Sequence, residues 1–251
     1  MKAKVIAISN QKGGVGKSTT ATALAQAAAY KGKKCLLIDN DPQGDSTYIT
    51  GADSNQSGLY DAIIGDVQGV QCVQGVQNGL YDVMPIDIRL SAADQLLQGD
   101  KRVYGLKTVI DPLRKKYDVI IIDTAPSLST MLFCALTAAD KVIIPIYADI
   151  LSLKDLYQLK LTIDKVKSSY NKSLELTGVF FNKYSTKTVL SREVTETIQE
   201  QCTNSKIPVL NSTVREGVSI REAQLLRESL YTYAPKSKPA QDYLKLLEEI
   251  L

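Results

Sequence analysis

The chain has 251 residues, 44% of them hydrophobic and 23% charged, and a formal net charge of +3. That balance excludes collagen-like, low-complexity and largely disordered chains, and it leaves enough length for one large domain or two small ones. The four cysteines (Cys35, Cys72, Cys134, Cys202) stand far apart with no C-x-x-C pair, and there is no histidine, which disfavours disulfide, zinc and simple iron–sulfur frameworks and excludes mechanisms that need imidazole.

Taken in chain order, the first predicted strand is Val5-Ile6-Ala7-Ile8. It is too short for a secretory leader and runs straight into Asn10-Gln11-Lys12. An alanine-rich helix is expected over 18–30, closed by Gly32, then a strand over 35–38. Residues 50–79, rich in Gly, Gln, Asp and Asn, read as loops with short elements. A strand over 81–85 and a helix over 106–116 follow. Val119-Ile120-Ile121-Ile122 is apolar on both faces, as the middle of a parallel sheet requires. Further strands are expected over 141–147 and 176–181, and helices over 151–170, 191–201 and 240–251. This alternation predicts a doubly wound, mostly parallel α/β sheet flanked by helices, of the P-loop NTPase type, in a single domain over 1–251. No apolar run approaches the ~18–20 residues of a membrane span, so a cytoplasmic chain that does not bind membrane is expected.

Between the first strand and first helix lies Lys12-Gly13-Gly14-Val15-Gly16-Lys17-Ser18-Thr19. A glycine-rich turn lets backbone N–H groups point at phosphate oxygens, and a helix N-terminus adds positive potential. Lys17 would reach the β- and γ-phosphates of ATP, and the Ser18 hydroxyl would ligate Mg²⁺. The strict pattern G-x-x-x-x-G-K-[ST] fails at its first position, which is Gln11. The run matches the deviant Walker A motif instead, whose additional lysine, here Lys12, is placed to reach phosphates held by another protomer.

Two strands lead into aspartates at the edge where ligands bind in such sheets. Asp123 follows 119–122 and is assigned to Mg²⁺, with Asp39 in the metal's outer surroundings. Asp41, on the turn Asp41-Pro42-Gln43-Gly44, is placed to orient a water toward the γ-phosphorus. Each aspartate taken alone reads equally well as a cap or turn-former. Asn182, after Val179-Phe180-Phe181, is a candidate for the adenine or a plain strand-end residue.

These motifs resemble those of the ParA/Soj family of chromosome and plasmid partition ATPases, within the deviant Walker A class. The resemblance covers nearly the whole chain: 12–19, 39–44, 121–127, 178–184, Leu190-Ser191-Arg192-Glu193-Val194 and 218–223. It implies a homodimer closed around two ATP molecules, with Lys12 on the partner's nucleotide, non-specific DNA binding, nucleoid association when ATP is bound, and a ParB-like adaptor that stimulates hydrolysis. It also implies a short form without an N-terminal helix-turn-helix. DNA contact is expected from Lys187, Arg192, Arg215 and Arg221. The sequence departs from the family at Ser219, where many relatives carry an arginine. The alternatives are a relative that positions protein cargo or binds membrane, and a nucleotide-dependent DNA scaffold with negligible turnover.

Overall fold

The computed structural model describes residues 2–77, 79–86, 88–92, 97, 99–149, 152–184 and 189–251, and of 88, 91 and 189–192 it describes the backbone alone. Eight strands form one sheet in the order β3-β4-β2-β5-β1-β6-β7-β8. They are β1 (Lys4–Ile8), β2 (Cys35–Asn40), β3 (Gln74–Val76), β4 (Tyr81–Met84), β5 (Val119–Thr124), β6 (Lys141–Ile146), β7 (Glu175–Tyr184) and β8 (Val214–Arg215). All pair in parallel except β3, which runs antiparallel to β4 at the edge.

β1, β2 and β5 sit side by side in the middle. Every residue of β2 and β5 is buried, which explains why these strands are continuously apolar rather than alternating. The helices divide between the two faces. One face carries α3 (Leu59–Ile64), α4 (Lys101–Leu113), α5 (Thr130–Ala138), α6 (Ser152–Ser169) and α7 (Val189–Asn204), which pack on Val5, Ile38, Ile122 and Ile144. The other carries α1 (Lys17–Tyr30), α8 (Val218–Leu226), α9 (Leu230–Tyr233) and α10 (Lys238–Ile250), around Ile6, Leu37, Ile121 and Phe180. Alanines at 21, 23, 25, 27 and 28 are buried in α1, so the helix lies close on the strands it covers.

The doubly wound expectation holds, and several bounds move. The helix expected over 106–116 is α4, which starts at Lys101 and ends at Leu113. Its first turn opens on Lys101-Arg102 and is followed by Gly105, a poor helix former, which masked the start. Residues 50–79 hold α3, a 3₁₀ turn and β3 within their loops. α2 (Asp45–Thr50) and α8 lie where no helix was expected. α2 has only six residues, two of them threonine and one isoleucine, too short and too β-branched to register as a helix. α10 docks on the core through Tyr243, Leu246, Leu247 and Ile250. Among the described residues, no helix is long and apolar enough to cross a membrane.

The central strands therefore carry the stability. Ile122 is fully buried in the core on the α5 face of the sheet, and Ile122→Ala should lower the unfolding free energy by about 2–5 kcal/mol, read as a drop in the urea midpoint with an unchanged m-value.

Candidate nucleotide site

Three strand ends converge: β1 runs into the glycine loop, β2 ends at Asp39-Asn40, and β5 ends at Asp123-Thr124. Asp39 and Asp123 are register partners on adjacent strands. The crevice outside these carboxyl ends is where ligands bind in open α/β sheets.

The loop is shaped by its glycines and clamped by its neighbours. Gly14 and Gly16 have φ of 74° and 88°, left-handed values that other residues adopt at a cost. A Cβ at Gly16 would also fall 2.4 Å from Asn182 Nδ2. That amide donates to the Val15 carbonyl at 2.8 Å. Asn10 Nδ2 donates to the Pro145 carbonyl at 2.7 Å, and the Tyr147 hydroxyl donates to the Gly14 carbonyl. β6 and β7 thus hold the loop from the side. Asn10 and Tyr147 were not legible as part of the site, because their partners lie far away in sequence.

Lys17 opens α1 and is 5% exposed. Its Nζ donates to the Lys12 carbonyl at 3.4 Å, across the loop. Burial lowers its pKa, against the charges of Asp123, Asp41 and Asp45. Lys12 lies at the loop's outer rim, and its ammonium pairs with Asp149.

The carboxylates stand in layers behind the loop. Asp39 is fully occupied: Oδ2 accepts from Thr47 N and Oγ1, both at 2.7 Å, and Oδ1 accepts from Asp41 N at 3.2 Å. Asp123 Oδ2 accepts from Ser46 Oγ at 2.7 Å, whereas its buried Oδ1 has no partner of hydrogen-bonding geometry. Burial first, then the neighbouring Asp39 charge, raises the Asp123 carboxyl well above the ordinary carboxylate range, against the Ser18 and Ser46 hydroxyls. Burial also raises Asp39 and Asp41. Asp41 Oδ1 accepts from Gln43 N at 3.0 Å.

In front of these groups lies a cavity of about 530 Å³. Gly13, Gly14, Gly16, Lys17, Ser18, Thr19 and Asp41 line it from the loop and turn, and Asn182, Lys183, Glu216, Gly217, Ile220 and Tyr243 line the rest. Glu216, Gly217 and Tyr243 were not anticipated, since nothing in their pattern marks a ligand, and Ile220 belongs to the family-like run 218–223 without having been assigned to the nucleotide. Among the described residues no three His, Cys, Asp or Glu side chains are grouped to hold a metal by themselves. A divalent cation held by one carboxylate, a hydroxyl and ligand phosphates is the ordinary arrangement for Mg²⁺. The Asp123 carboxyl, with the Ser18 hydroxyl among its neighbours and Oδ1 unpartnered, fits it.

The residues expected at DNA fare differently. Lys187 lies outside the described residues. Arg192 lies on α7, its side chain outside them too. The Arg215 guanidinium is engaged by Asp242, with bonds of 2.7 and 2.6 Å. Arg221 lines this cavity and an adjoining cleft of about 830 Å³ that also holds Lys183, Lys238 and Lys245.

A parallel sheet with a lysine-tipped glycine loop between its first strand and first helix defines a P-loop NTPase. Comparison with known proteins narrows this. Residues 3–176 match the family model described as AAA domain. The chain is 35% identical to the sporulation initiation inhibitor protein Soj of Bacillus subtilis, over 98% of both chains. Among solved structures it superposes on cobyrinic acid a,c-diamide synthase from Mycobacterium smegmatis with bound ADP and magnesium. That match has a TM-score of 0.85 at 29% identity and covers 98% of this chain and 93% of that one. A putative plasmid partition protein from Borrelia burgdorferi B31, bound to AMPPNP, gives a TM-score of 0.83 at 27% identity and covers 99% and 98%. The chain belongs to the ParA/Soj family of partition ATPases.

Two of the three loop glycines make a paired test. Gly16→Ala combines a left-handed φ with a clash and should cost about 1–3 kcal/mol of stability. Gly13→Ala meets nothing within 4 Å and should stay within about 0.5 kcal/mol of wild type. Equilibrium urea unfolding of the two variants reads the difference.

Proposed function

We propose that the chain binds and hydrolyses Mg·ATP, and that two copies close face to face on the nucleotides, bind DNA without sequence preference and separate on hydrolysis. One observation carries the reading: Lys17 is a buried ammonium that, among the described residues, makes no ion pair. Such a charge is costly to keep in a folded chain unless an anion compensates it. A triphosphate on the backbone N–H groups of 13–19 is that anion.

In this reading the γ-phosphate lies against Lys17, and Mg²⁺ would be held by Ser18 and Asp123, neutralising phosphate charge. Thr47 and the Asp41 N–H hold Asp39, which in turn fixes the turn bearing Asp41. Gln43 N orients one Asp41 oxygen and leaves the other for a water aimed at phosphorus. Transfer to water needs position and charge neutralisation rather than a strong base, so the lack of histidine is no obstacle.

Lys12 is the group for the partner's phosphate. Its present pair with Asp149 is partly exposed, and giving it up costs about 0–1 kcal/mol, which a phosphate contact readily outweighs. Arg221, Lys183, Lys238 and Lys245 supply charge for DNA, and dimerisation doubles that surface. Binding to DNA should weaken steeply with salt, as phosphate contacts do. Membership of the partition family supports a ParB-like adaptor as the stimulating partner.

Three substitutions test the roles. Lys17→Ala should abolish ATP binding in calorimetry. Lys12→Ala should bind ATP and fail to dimerise in sedimentation velocity, and ATP-driven dimers of that variant would remove the trans role. Asp41→Ala should lower phosphate release by about 10²–10³-fold and leave an ATP dimer that persists on DNA.

A further inference from the structure

Glu216 and Gly217 line the cavity at the end of the segment 211–217, and one helix braces that segment at three points. Pro239, in the first turn of α10, lies so near Gly217 that a Cβ there would come within 2.6 Å of its Cγ. Asp242, 4% exposed, accepts from Arg215 N at 3.1 Å, from Nε at 2.7 Å and from a terminal guanidinium nitrogen at 2.6 Å. Glu249, two turns further on, accepts from Asn211 N at 2.7 Å and Ser212 N at 2.8 Å. Between the two carboxylates, Tyr243 is fully buried, lines the cavity and shares a 3.3 Å hydrogen bond with Thr20 of α1.

By itself the segment is weakly anchored. β8 has only two residues and sits at the sheet edge, with an irregular register on β7. A strand that short does not fix its neighbours, so the position of Glu216 and Gly217 depends on what holds Arg215. A triphosphate seated on the loop leaves the base to the remaining lining, to which Asn182, Glu216, Gly217 and Ile220 belong.

We infer that α10 is a positioning element for the nucleotide base, and that Asp242, acting through Arg215, sets the wall against which the base packs. The inference rests on the nucleotide reading of the cavity. Asp242 touches no ligand itself. Its role is to hold backbone, and its loss should weaken base contacts while sparing phosphate contacts, which belong to the loop. This also gives Arg215 a task within its own chain, distinct from DNA.

The test separates base from phosphate. Titration calorimetry of the full chain is run with Mg·ATP and with magnesium tripolyphosphate, which carries the phosphates and no base. For Asp242→Asn we expect ATP affinity to fall by about tenfold, a loss near 1.4 kcal/mol, with tripolyphosphate affinity unchanged. Arg215→Gln should give the same split, and the double variant should add nothing, because the two residues act as one unit. Wild-type ATP affinity in Asp242→Asn, or equal losses for both ligands, overturns the inference. If Asp242→Asn does not fold, Arg215→Gln, whose side chain is 43% exposed, is read by the same two outcomes. A wild-type chain that binds neither ligand overturns the nucleotide reading, and this inference falls with it.

Discussion

A lysine ammonium held at the start of a helix, out of water and, among the described residues, without a carboxylate in contact, is the constraint around which the rest is arranged. Lys17 can stay there because its surroundings are electrostatically complementary at a distance: Asp41, Asp45 and Asp123 favour its charge while burial opposes it. Direct contact with any of them would quench the site. Asp41 and Asp123 are instead engaged by the Gln43 N–H and the Ser46 hydroxyl, so their negative charge acts on the ammonium through space. The same crowding disfavours ionisation of Asp123, and in the proposed reading a divalent cation beside its unpartnered oxygen would favour the ionised form.

The fold exists to hold that arrangement still. The three middle strands bury every side chain of β2 and β5, and their ends deliver the loop, Asp39 and Asp123 to one edge. Side-chain braces then fix what the strands cannot. Asn10, Tyr147 and Asn182 hold the loop to β6 and β7, while Thr47 also donates from its hydroxyl to Asp39 and accepts from Ile86 N at 3.0 Å. Apart from the bond to the Asp39 carboxylate, these are hydrogen bonds between neutral groups, suited to rigid positioning of a polar loop.

How much of this was legible followed from the range of the interactions. The central strands announced themselves through unbroken runs such as Val119-Ile120-Ile121-Ile122, and the loop through contiguous glycines and lysines. Asp39, Asp41 and Asp123 were placed by their position after those runs. Contacts between distant residues left no local trace: Asn10 and Pro145 are 135 positions apart, and Asp242 reads as an ordinary helix residue until Arg215 is folded onto it. α8 was missed because its pattern is weak and its apolar side chains Val218, Leu225 and Leu226 are exposed. Arg215, counted with the DNA-facing cations by its charge, has an internal partner that no composition argument could reveal.

The central claim is that Lys17 and the loop hold a triphosphate. A crystal structure of the chain soaked with Mg·AMPPNP tests it most directly. The account predicts β- and γ-phosphate oxygens within about 3 Å of Lys17 Nζ, with the cation on Ser18 and Asp123. Density for the nucleotide elsewhere, or Lys17 still turned to the Lys12 carbonyl with the ligand bound, would contradict it.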